Sequence, residues 1–147
     1  MKKVKVLFIC GENRARSQIA EAFLRHYGSD RYDVYSAGLE HSKIHPLTVE
    51  VMKEIGYDLG DHFSKNLRDF LGSNHFSYVI TVCNKAKEKC PIFPGGTFHL
   101  HWSFDDPVAF KGSEEEKVNK FREVRDQIQK KVINWLKERG ELIDASN

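Results

Sequence analysis

The sequence predicts an α/β fold, a three-layer sandwich on a four-stranded parallel sheet. Three observations predict it. Apolar, β-branched runs alternate along the chain with stretches whose apolar residues recur at helical spacing. Tyr78 to Val82 is a nearly continuous apolar run, as expected of a strand covered on both faces, and Val4 to Cys10 is a short β-branched and apolar run that ends in a cysteine. Cys10 and Cys83 then fall at strand ends, on the rim where parallel α/β sheets bind their ligands.

The elements follow in order. After Val4 to Cys10, the residues Ile19, Phe23 and Tyr27 recur every fourth position with Ala20 and Leu24 beside them, which predicts a helix. Tyr32 to Ala37 carries β-formers and breaks at Gly38, a second strand. Pro46 suits a first helical position, and Leu47, Val51 and Ile55 give that helix an apolar stripe before Gly56 stops it. Residues 57–72 are polar and less regular, a loop with a short helix around Leu67 to Leu71. Tyr78 to Val82 and Thr97 to Trp102 are the third and fourth strands. Ser113 to Arg139 is a long amphipathic helix that opens with Ser113 and Glu116 in capping-box register. It presents Val118, Phe121, Val124, Ile128, Val132 and Trp135, and ends at Gly140.

The composition excludes several function classes. At 147 residues the chain is expected to form one domain, residues 1–147. The 23 basic and 21 acidic side chains are interspersed, and a net charge of +2 is too weak to argue for nucleic acid, so no nucleic-acid partner is expected. No segment approaches the roughly 20 apolar residues of a membrane span. The apolar run after the basic opening meets Glu12 and Arg14 too soon for a signal peptide. Three cysteines do not make a secreted disulfide framework, so a cytoplasmic protein is expected.

The chemistry centres on the strand–loop–helix unit. Backbone N–H groups of such a loop and of the first helical turn converge on one point that favours an anion. Cys10 faces that point, Arg16 adds a planar five-donor cation, and Ser17 can donate to the sulfur. The same field is expected to lower the Cys10 pKa and make the thiolate nucleophilic. The competing reading is a buried structural cysteine. Cys-x5-Arg-Ser between strand and helix resembles the phosphate-binding loop of the low-molecular-weight protein-tyrosine-phosphatase superfamily. The run Arg16 to Glu21 is most similar to its thioredoxin-coupled arsenate reductase branch. The resemblance implies a low-molecular-weight phosphatase-like fold and an oxyanion held by Gly11, Glu12, Asn13, Arg14, Ala15, Arg16 and Ser17. Glu12 and Arg14 stand where the family has small residues.

Cys83 and Cys90 separate the branches. Cys-x6-Cys is not a zinc pattern, and no metal site or cofactor is expected. The resemblance assigns the trio a relay. Cys10 attacks arsenate, Cys83 attacks the adduct and releases arsenite, and Cys90 resolves the first disulfide to leave a pair that thioredoxin reduces. Lys85, Lys87 and Lys89 are positioned either to hold these thiols ionised or simply to form a solvated face. The acid of the superfamily corresponds to Asp106, before Pro107; taken alone, Asp105-Asp106-Pro107 reads as a turn. Val108 stands where the phosphatases carry an aromatic residue. His99 and His101 share a strand face and read as ordinary strand histidines.

Some reductases of this family hold a potassium ion beneath the loop with an asparagine, a glutamate and an aspartate. Asn13, Glu21 and Ser36 match three of its ligands, and Lys65 stands at the aspartate position. Lys65 is therefore expected to take the place of the ion and pair with Glu21; the competing reading is a solvated lysine on a mobile loop. The reading is an arsenate reductase. Its alternatives are a low-molecular-weight protein-tyrosine phosphatase working through a Cys10 phosphocysteine, and a non-catalytic oxyanion or arsenite sensor.

Overall fold

The computed structural model describes residues 3–40, 42–72, 75–91, 93 and 96–141. Its strands are β1 (Val4–Cys10), β2 (Tyr32–Gly38), β3 (Tyr78–Thr81) and β4 (Phe98–His101). The α-helices are α1 (Arg16–Gly28), α2 (Pro46–Lys53), α3 (Asn84–Lys89) and α4 (Glu114–Glu138). All strands run parallel in the order β2-β1-β3-β4, so the two central strands are β1 and β3. Val6 to Ile9 are fully buried on successive positions, which explains why β1 reads as a continuous apolar run.

Tyr32 and Tyr35 point to opposite faces because their spacing is odd. Tyr32, Phe8 and Trp102 lead to Trp135 of α4 on one face, whereas Tyr35 packs against Phe70 and Phe76 on the other. Helix α1 lies against β1, β2 and α4, and buries Ile19, Phe23 and Leu24 completely. Truncating Phe23 to alanine would cost about 3–5 kcal/mol, the range for a large buried aromatic. Both parts of the α4 capping box form.

Several ends differ from the sequence reading. Val82, Thr97 and Trp102 lie just outside their strands. The short helix around Leu67 is a 3-10 turn, Leu67–Phe70. Helix α2 ends before Ile55, which is exposed, because the chain turns through Gly56 at φ +89°. Gly38 is required at the end of β2. A Cβ there would stand 2.2 Å from the Glu40 carbonyl oxygen and 2.8 Å from the Asn13 nitrogen, so only glycine lets β2 approach the loop after β1.

Candidate active site

Residues 10–17 form a compact loop from the end of β1 into α1. Helix α1 has Ala15 at its N-cap position, with no side-chain cap and no acidic residue in its first turn. A capping Ser or Asp would spend its oxygen on the N–H groups of that turn; here no side chain caps them, and the Ser17 N–H is directed at Cys10. Asn13 adopts φ +56°, a left-handed conformation that asparagine tolerates better than most residues.

The Asn13 side chain sets the direction of a hydrogen-bond chain. Its Oδ1 accepts from the Lys65 backbone N–H at 2.8 Å and from Gln18 Nε2 at 2.8 Å. Its amide group therefore donates to Ser17 Oγ at 2.7 Å and Ser36 Oγ at 3.0 Å. With its oxygen so engaged, the Ser17 hydroxyl is free to donate to Cys10 Sγ at 2.9 Å, and the Asn13 backbone N–H reaches the same sulfur at 3.1 Å. The other branch runs from Ser36 Oγ to Glu21 Oε1 at 2.5 Å.

The expected lowering of the Cys10 pKa is corrected. Burial pushes the thiol up, because a thiolate enclosed by protein loses its hydration. The Ser17 hydroxyl, the Asn13 and Ser17 N–H groups and Arg16 oppose this without overcoming it. The loop contains the donors that the sequence promised; it also encloses the sulfur, which the sequence does not show.

Arg16 ties the loop to the far side of the rim. Its Nη1 donates to the Phe104 carbonyl at 3.0 Å, and its Nη2 lies 3.5 Å from Asp106 Oδ2. The other Asp106 oxygen accepts from the Val108 N–H at 3.0 Å. Arg14 Nη1 stands 3.9 Å from Glu12 Oε2, so the two unusual loop residues face each other as opposite charges. The Arg14 carbonyl is held by the His45 N–H at 3.1 Å and Thr48 Oγ1 at 3.0 Å, from the start of α2.

Cys83 is the N-cap of α3, and its Sγ accepts from the Ala86 N–H at 3.3 Å. Cys90 is the C-cap of the same helix. Burial pushes the Cys90 thiol up to about 11, and its Sγ donates weakly to the Pro91 carbonyl at 3.4 Å. Lys85, Lys87 and Lys89 are exposed, and no lysine counters the Cys90 shift; for that thiol they are a solvated face. A cleft of about 490 Å³ gathers Cys10, Gly11, Arg14, Arg16, Cys83 and Asp106 on one rim, with Glu12 and Ala15 in its wall.

Residues 5–143, which span this loop and the rim opposite it, match the family described as low molecular weight phosphotyrosine protein phosphatase. An arsenate reductase of Shouchella clausii is 42% identical over 129 residues, covering 87% of this chain and 91% of that one. The chain belongs to that family, on its arsenate reductase branch. Among solved structures, an arsenate reductase in the phosphate binding state superposes with a TM-score of 0.73 at 29% identity, covering 92% of this chain and 98% of that one. A thioredoxin-dependent arsenate reductase of Corynebacterium glutamicum gives 0.61 at 34% identity, covering 88% of this chain and 62% of that one.

Beneath the loop, two cationic side chains converge on Glu21. Lys65 Nζ lies 3.7 Å from Glu21 Oε1 and donates to the Phe63 carbonyl at 2.9 Å, while Arg25 Nη2 is 2.9 Å from Glu21 Oε2. Asn13 turns its amide nitrogen, not its oxygen, toward Ser36. A carboxylate already flanked by two cations and an amide presenting N–H groups do not fit a metal ion. Burial lowers the Lys65 pKa and Glu21 opposes it.

Two residues escaped the sequence. Gln18 is fully buried and its Nε2 clamps Asn13 Oδ1 and the Phe63 carbonyl. His62 Nδ1 meets Gln18 Oε1 at 3.1 Å. A polar residue beside Ile19 on an apolar face was a signal for Gln18; nothing marked His62. His99 and His101 bond to the Phe93 N–H and to Thr81 Oγ1 respectively. Among the described residues, no helix is long and apolar enough to cross a membrane.

Proposed function

We propose that the protein reduces arsenate to arsenite with its own cysteines and is returned to the thiol state by thioredoxin, in the cytoplasm. The observation that carries this is the shared rim: Cys10 in an anion loop and Cys83 line one cleft, and a single short helix separates Cys83 from Cys90. The arsenate reductase relatives and the phosphate-bound neighbour support the same oxyanion class.

The arsenate dianion docks on the N–H groups of the loop and on Arg16, which parts from Asp106 to receive it. Cys10 loses its proton and bonds to arsenic. One arsenate oxygen leaves as water, carrying the thiol proton and arsenate's own, with Asp106 handing over the proton at the departing oxygen. Cys83, as thiolate, then attacks the Cys10 sulfur. The S–As bond breaks, its electron pair stays on arsenic, and As(V) becomes As(III). Arsenite leaves and a Cys10–Cys83 disulfide remains. Cys90 thiolate attacks Cys83, releasing Cys10 thiolate, and the dithiol of thioredoxin reduces the Cys83–Cys90 bond by the same exchange.

Arsenate-dependent NADPH oxidation in the presence of thioredoxin and its reductase tests the proposal, run beside hydrolysis of an aryl phosphate. Steady oxidation is expected. Aryl phosphate hydrolysis without it would assign a phosphatase, and neither activity would leave a sensor.

A further inference from the structure

The loop that carries Asp106 is gripped from outside the cleft. It leaves β4 after His101 and reaches α4 at Ser113. Arg16 holds it at the Phe104 carbonyl, and Val108 packs into a small cluster with Ala15, Val51 and Phe121. The third hold is Lys120, on the first turns of α4. Its Nζ donates to Asp105 Oδ2 at 3.0 Å, beside the acid, and lies 6.0 Å from the centre of the Phe110 ring near the loop's exit. Glu123 Oε2, one turn along α4, takes the same ammonium at 3.3 Å. The Lys120 side chain is only 16% exposed although Asp105 is 74% exposed, so the lysine is the anchored member of the pair.

We infer that Lys120 is a positioning residue for the proton-donating step: by fixing Asp105 and Phe110 to α4 it holds Asp106 at the rim facing Cys10. The inference rests on the proposed assignment of Asp106 as the acid. Lys120 touches no reacting atom, and its only route to the chemistry is through the loop. Proton transfer is sensitive to such placement, because the acid must lie within hydrogen-bond reach of the departing oxygen. Oxyanion binding rests on the loop 10–17 and Arg16 and does not pass through Lys120.

The test measures arsenite released in a single turnover by reduced protein without thioredoxin, at arsenate concentrations below saturation, with inorganic phosphate affinity measured separately. Lys120→Met keeps the stem over Phe110 and removes the charge. It is expected to slow release about fivefold, the scale of one exposed ion pair, with phosphate affinity unchanged within about twofold. Lys120→Arg, which can still reach Asp105, should restore the rate. In an Asp106→Asn background, Lys120→Met should cost nothing more, since the group it positions is gone. An unchanged rate for Lys120→Met, or the same loss in both backgrounds, overturns the inference while leaving the acid assignment standing. An unchanged rate for Asp106→Asn alone overturns the acid assignment, and the inference with it.

Discussion

Ser17→Ala removes the hydroxyl that donates to Cys10 Sγ at 2.9 Å and leaves the backbone loop intact. Asn13, which donates to Ser17, keeps its bonds to Ser36, Gln18 and Lys65. A hydrogen bond to a charged acceptor is worth about 1.5–3 kcal/mol, and one pKa unit corresponds to about 1.4 kcal/mol. Loss of the bond should therefore raise the Cys10 pKa further and cut its thiolate population near neutral pH about tenfold or more. The direction is clear: burial already pushes this thiol up, and the Ser17 hydroxyl is the largest influence pulling it back. Alkylation by iodoacetamide across pH measures it, in a Cys83→Ser, Cys90→Ser background where Cys10 is the only thiol. Near neutral pH the alkylation rate should fall about tenfold or more and recover as pH rises. An unshifted titration would refute the directed chain from Asn13 through Ser17 to the sulfur.

Three further outcomes are expected. Cys83 and Cys90 cap opposite ends of α3, so their Cα atoms lie roughly 10 Å apart at helical rise, beyond the ~7 Å reach of a disulfide. Oxidation must unwind α3; hydrogen exchange should rise across residues 82–91, and equal protection in both redox forms would count against it. The Cys90 thiol, pushed up to about 11, should make conversion of the Cys10–Cys83 bond to the Cys83–Cys90 bond speed up about tenfold per pH unit between about pH 7 and 9. A flat profile in a quenched-flow mapping of the disulfides would contradict that. With Lys65 beside Glu21, exchanging potassium for sodium at constant ionic strength should not change activity, while Lys65→Asp should create a potassium requirement. Marked potassium activation of the unmodified protein would refute the substitution of ammonium for metal.

The parts of this protein written in short stretches of sequence were legible in it. The β1–loop–α1 unit is contiguous, so the anion loop, Arg16 and Ser17 could be placed from spacing alone. The parallel sheet followed from strands alternating with helices and from the apolar runs of β1 and β3, and the α4 cap from Ser113 and Glu116. Helix ends such as Ile55 and strand ends such as Val82 were less clear, because a chain leaves a regular element for tertiary reasons. The direction of the Cys10 shift was misread because donors are visible in the sequence, while the enclosure of the sulfur depends on distant segments. Gln18, His62 and Lys120 matter through partners 44 or more residues away in the first two cases, Phe63 and Gln18, and through Asp105 in the third.

The relay itself is tested most directly by reacting the reduced protein with arsenate in the absence of thioredoxin, then counting arsenite and mapping disulfides by mass spectrometry. One arsenite per chain and a Cys83–Cys90 bond are expected, and in Cys90→Ser the bond should stop at Cys10–Cys83. Three free thiols after arsenite has formed, or a full yield of arsenite from Cys83→Ser, would contradict it.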